Sequence, residues 1–177
     1  MLSDTRSGGL KPDATTRTSA EAVRIMNVVA AKFMWQANVN LTQVGSPTPV
    51  VVPSDLGDPF NVDDVGRVLT PIRDATQKIA PNLMASGIVR VFCCWDVTED
   101  KIHDAIGETR GMDCFVEDGT EETTFAHEVG HALGLRSHNF AATAARPLLM
   151  DESLGKKTFK LQQIEIDQLN PSGKFGT

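Results

Sequence analysis

The chain predicts an α+β fold, a twisted mixed β-sheet layered against helices, and three features of its 177 residues carry that expectation. Apolar residues recur at helical spacing near the amino terminus and again before the middle of the chain. The run GIVRVFCCWDV, residues 87–97, is nearly continuous in apolar and aromatic residues, as a strand buried on both faces would be. The stretch FAHEVGHALGLRSHNF, residues 125–140, then sets two histidines four apart on what reads as a helix closed by a glycine.

The elements follow in order. Residues 1–17 are polar and rich in Ser, Thr, Gly and Asp, and predict a flexible arm ahead of one domain over 18–177. Thr18 with Glu21 three residues later matches a capping box, and Ala22, Met26, Val29, Ala30 and Phe33 repeat at helical spacing to about Ala37. NVNLTQVG, residues 38–45, reads as a strand through Val39, Leu41 and Val44, and PVVV, residues 49–52, as a shorter one. Pro, Gly and Asp mark a loop over 53–60. Residues 61–81 are helical around Val65, Leu69, Ile72 and Ile79, with a break or kink expected at Pro71. The run 87–97 is expected at the centre of the sheet, and GMDCFVEDG, residues 111–119, as a shorter strand at its edge. Asp118 or Thr120 is expected to cap the motif helix, with Glu121 and Glu122 in its first turn.

Composition narrows the function classes. Hydrophobic residues make up 41% and charged residues 23%, the balance of a folded chain, and 177 residues suit one core better than two. A formal net charge of −6 and the lack of a long basic run argue against nucleic acid or an anionic membrane as partner, and a monomer is expected. No apolar run is long enough to cross a bilayer, and the first twenty residues lack the apolar centre of a signal peptide. Cys93, Cys94 and Cys114 leave two readings: a disulfide from Cys93 or Cys94 to Cys114, or three buried thiols. His103 lies in a polar loop and reads as a surface residue. Asp55, Asp58, Asp63 and Asp64 do not follow the spacing of a calcium loop and read as loop and cap residues.

The chemistry sits in HEVGH. On a helix His127 and His131 share one face a turn apart, close enough to grip one ion, and zinc accepts neutral imidazole nitrogen readily. Glu128 can reach a water at such a metal, take its proton and pass it to a leaving amine. Gly134, seven residues after His127, allows the chain to turn back, and Met150 follows in ARPLLMDES.

HEVGHALGLRSH followed by LLMDES resembles the metzincin clan of zinc endopeptidases, whose pattern is HExxHxxGxxH and then a methionine turn. DCFVED, TTFAHE and the later KLQQIEIDQL, residues 160–169, are also similar to small members of that clan, so the resemblance covers residues 88–169. It implies a metzincin-like fold with a final helix, His127 and His131 as ligands of Zn2+, Glu128 as general base and Met150 as an apolar floor beneath the metal. It implies protein or peptide as substrate and, by the habit of the family, an exported enzyme. The clan places its third ligand where this chain has Ser137, one residue before His138. A widened turn in LRSH would bring His138 to the metal; Asp151, a Cys114 thiolate or a second water are the alternatives. The clan's tyrosine has no counterpart here, because the chain contains none. The resulting expectation is a zinc endopeptidase. Its rivals are a zinc-binding interaction module without catalysis and an enzyme whose third ligand is Glu165. A thiolate or the amino-terminal arm held in the cleft would make the enzyme latent.

Overall fold

The computed structural model describes residues 1–5, 13–98, 106–135, 149–150 and 161–170. Helix α1 (Ser19–Val28) starts where the sequence indicates: Thr18 is extended, and its hydroxyl accepts the Glu21 N–H. It widens into a π turn over Val29–Phe33, tightens over Met34–Ala37, and stops at Asn38, whose φ of 57° is left-handed. The buried Ile25, Val29 and Phe33 point into the core.

The amino terminus departs from the expected flexible arm. Leu2–Asp4 form strand β1, parallel to β2 (Val50–Val52), with Leu2 opposite Val50. Leu2 is buried because its apolar side chain completes a core, and the buried Asp4 accepts the Asp13 and Leu56 amides. Thr15 and Thr16 bond to Asp118, and Arg17 donates to the Glu117 and Thr120 carbonyls while lying over the Phe125 ring. Asp118 therefore ties down residues 15–16 instead of capping a helix. The strand expected over 38–45 does not form; that stretch has no regular structure, whereas PVVV supplies β2.

Strand β3 (Phe60–Asn61) precedes a π turn, Val65–Leu69, capped by Asp64, which runs into α2 (Thr70–Ile79). Pro71, where a break or kink is expected, lies just where π winding gives way to α winding; Leu69 and Thr70 are both right-handed helical, so the chain stays helical through the proline and the irregularity is that change of winding. Strand β4 (Arg90–Cys94) is followed by β5 (Val97–Thr98), which pairs with β3. Strands β6 (Gly107–Arg110) and β7 (Asp113–Glu117) form a hairpin through Gly111 at φ +66°.

The main sheet has the order β4-β7-β6, with β4 parallel and β6 antiparallel to β7. This reverses two expectations: GMDCFVEDG supplies the central strand, β7, and the run 87–97 supplies an edge strand, β4, while the other edge, beside the motif helix, is β6. The β6–β7 hairpin folds β6 onto the side of β7 away from β4. Strand β4 is apolar on both faces, as expected. Cys93, Cys114 and Val116 face α1 and α3 (Glu122–Ala132), while Phe92, Cys94 and Phe115 face the core that contains α2 residues Ile72 and Ala75. Phe92 and Phe115 stack at 5.1 Å between centroids.

The three cysteines are free and buried. Cys114 stands opposite Val91, two residues from Cys93, an offset of roughly 8 Å between Cα atoms and too far for a disulfide. Asp113, fully buried at the start of β7, takes Arg73 at 2.7 Å and Arg90. Helix α4 (Gln163–Leu169) carries a capping box between Gln162 and Glu165. Among the described residues, no helix is long and apolar enough to cross a membrane.

Candidate metal and catalytic site

Helix α3 carries three of the predicted site residues. Its N-cap is Glu121, which makes no side-chain capping bond; Thr120 instead donates to the Glu117 carbonyl. Glu122 lies in the first turn and pairs with Arg24 at 2.9 Å, which holds its carboxyl below the usual range. At the other end Gly134 adopts φ +97°, and the Gly134 and Leu135 amides close onto the His131 and Gly130 carbonyls, the glycine stop that the sequence indicates.

His127 and His131 meet. Their rings are nearly perpendicular, at 84°, with Nε2 atoms 3.1 Å apart. His127 Nδ1 lies 2.9 Å from the Leu149 carbonyl, and His131 Nδ1 lies 3.2 Å from the Leu135 carbonyl. A carbonyl oxygen only accepts, so each Nδ1 is the donor. In the neutral tautomers both Nε2 atoms then present lone pairs to the same small volume, and these repel unless a positive charge stands between them. Two nitrogens bound tetrahedrally to one zinc at about 2.0–2.1 Å would be roughly 3.3 Å apart, close to what is found. A shared proton or a metal ion would each relieve that repulsion; two imidazoles are fewer than the three protein ligands a zinc site uses, and the two carbonyls are partners of the kind that orient ligating histidines.

The surroundings hold this pair in place. Gly130 lies between the histidines in sequence, and a Cβ there would come within 2.9 Å of Leu135 Cδ1 and 3.1 Å of Met150 Sδ. Met150 is buried against the helix through that gap. Its amide donates to Glu165 Oε1 at 3.0 Å, and Glu165 Oε2 accepts from the Gln162 amide at 2.9 Å. Glu165 is fully buried and has both oxygens on main-chain amides, so it braces the 149–150 turn and is not placed as a metal ligand.

Glu128 is 5% exposed, with Oε2 2.7 Å from Thr109 Oγ1 of β6. Cys114 lies behind the helix, its thiol 3.4 Å from the Glu128 carbonyl, and burial pushes its pKa far above the ordinary value. Burial also raises Cys93 and Cys94. Neither a Cys114 thiolate ligand nor thiolate latency is therefore supported. Asp64 caps a turn, Asp55 accepts the Gly57 amide and Asp63 pairs with Arg110, as loop and cap residues do. His103, Ser137, His138 and Asp151 lie outside the described residues.

No protein-family model, curated protein or solved structure matches the chain. Among the described residues no group of three or more His, Cys, Asp or Glu side chains is placed to hold a metal. The resemblance to the metzincin clan is thereby corrected. The clan's signature needs three ligands at one point, and the described residues bring together only His127 and His131. The sequence did not point to Thr109, Gly107, or the Leu135 and Leu149 carbonyls; alternation along GETR puts residues 107 and 109 on one face, but nothing in the sequence says that this face meets α3.

Proposed function

We propose that the chain is a zinc-dependent endopeptidase acting on extended segments of protein. The observation that carries this reading is the 3.1 Å approach of the His127 and His131 Nε2 atoms, with both Nδ1 atoms committed to carbonyls. His127 and His131 would hold the zinc, with His138 as the third imidazole. Bound there, zinc would supply Lewis acidity, lowering the pKa of a water and polarising a carbonyl.

The chain's own groups perform the rest. Glu128 removes a proton as the water oxygen bonds to the scissile carbonyl carbon, and returns it to the nitrogen as the C–N bond breaks. The β6 edge, next to Glu128 through Thr109, offers main-chain groups with which an extended peptide can pair.

Zinc affinity by chelator competition, alongside cleavage of dye-labelled casein, tests the reading. The intact chain is expected to bind zinc and to cleave casein until chelator is added, and His127→Ala, His131→Ala and His138→Ala each to weaken binding at least about tenfold. Zinc binding without cleavage would make the chain a binding module. Unchanged affinity in His127→Ala and His131→Ala would overturn the metal site.

A further inference from the structure

Two residues of β6 meet the Glu128 carboxyl from the sheet side. Thr109 Oγ1 is 2.7 Å from Glu128 Oε2 and 3.1 Å from the Glu128 main-chain oxygen. A threonine hydroxyl has one proton to give. The Cys114 thiol, opposite Thr109 in the β6–β7 ladder, reaches the same main-chain oxygen at 3.4 Å. With the thiol on the carbonyl, the hydroxyl proton goes to the carboxylate, where a charge-assisted bond is stronger. Gly107 lies two residues before Thr109, on the same face of the strand. A Cβ at Gly107 would stand 2.9 Å from Glu128 Oε1 and 3.0 Å from its Cγ, so the carboxyl occupies room that the missing side chain leaves.

Resting on the endopeptidase reading above, we infer that Thr109 is a positioning residue for Glu128, its hydroxyl fixing the carboxyl in the clearance at Gly107. A glutamate has three side-chain torsions, and α3 constrains chiefly the first. The remaining freedom is removed from outside the helix, by the strand that would also align the substrate. Orientation of the base and alignment of the peptide thus belong to one element. A displacement of about 1 Å at a reacting group is enough to cost roughly 100-fold in rate.

The test compares the full-length wild type with Thr109→Val, Thr109→Ser and Glu128→Gln. Zinc affinity by chelator competition, kcat and KM on casein, and the place of residue 128 in crystal structures are measured. Thr109→Val is expected to lower kcat about 10- to 100-fold with KM and zinc affinity within about twofold, and to displace the carboxyl by about 1 Å or more; Thr109→Ser restores both. An unmoved carboxyl, an unchanged kcat, or a loss that follows zinc affinity overturns the inference. If Thr109→Val does not fold, Gly107→Ala moves the same carboxyl from its other oxygen, and an unchanged kcat there overturns the inference equally. Glu128→Gln retaining full activity would overturn the endopeptidase reading itself. Glu128→Gln inactive beside an unimpaired Thr109→Val would overturn only the role of Thr109.

Discussion

Helices α3 and α4 each bury one glutamate, and the two carboxyls are put to different use. Glu165 in α4 spends both oxygens on main-chain amides, those of Met150 and Gln162, and so serves as an internal strut. Glu128 in α3 takes a side-chain hydroxyl from the sheet edge and stands next in the chain to one of two converging imidazoles. Burial alone does not tell the two apart; the kind of donor does, and the catalytic role proposed for Glu128 is drawn on that contrast. Main-chain amides are fixed by the fold and lock a carboxyl in place, whereas the Thr109 hydroxyl can rotate about its C–O bond as the carboxyl moves.

The two are linked through the turn between them. Glu165 holds the Met150 amide, and the Leu149 carbonyl, one residue before, accepts from His127 Nδ1. The strut therefore reaches His127 through a single peptide unit.

The contrast can be broken by substitution. Glu128→Gln is expected to lower casein cleavage by on the order of 1,000-fold while zinc affinity and melting temperature stay near wild type; retained cleavage would place Glu128 with Glu165 among structural carboxyls. Glu165→Ala should do the reverse, costing about 3 kcal/mol in denaturant unfolding by leaving the buried Met150 amide and the partly buried Gln162 amide without acceptors. Because the 149–150 turn would loosen, zinc affinity should fall about 10-fold as well; full affinity would show that His127 is oriented without the strut.

The layer beneath α3 is addressed by pH. Cys93, Cys94 and Cys114 have thiols raised by burial, so above about pH 9 the unfolded chain loses protons that the folded chain keeps, and stability must fall as pH rises. The share of Cys114 should be on the order of 1 kcal/mol by pH 10, read as a lower denaturation midpoint, and replacing Cys114 with Ala should remove that share. The smallest effect is expected at Thr18→Ala, remote from both glutamates, which removes the α1 cap and about 1 kcal/mol without altering zinc affinity. A change in affinity there would mean that α1 and the site are coupled.

Local chemistry was largely legible in the sequence. Thr18 as a cap, Gly134 as a left-handed stop, the two-sided burial of β4 and the shared face of His127 and His131 all follow from side-chain type and period, because each depends on groups within a few residues. Where a distant partner competed, the sequence misled. Asp118 was taken by Thr15 and Thr16 from the amino terminus, Leu2 joined a strand some fifty residues away, and the alternating apolar residues of 38–45 found no neighbouring strand. The similarity of HEVGHALGLRSH and LLMDES to a peptidase clan rested on residue types at given spacings, and those do not place a third ligand.

By itself the sequence determined that a helix would present two imidazoles and a carboxyl in one turn and a half, since helical geometry is set by the backbone. Only the tertiary structure decided that both Nδ1 atoms meet carbonyls, that Glu165 is a strut, and that Thr109 and Gly107 of β6 close on Glu128. Those contacts depend on which strand takes the sheet edge, and strand order is settled by competition among faces and hairpins across the whole chain, which a local pattern does not record.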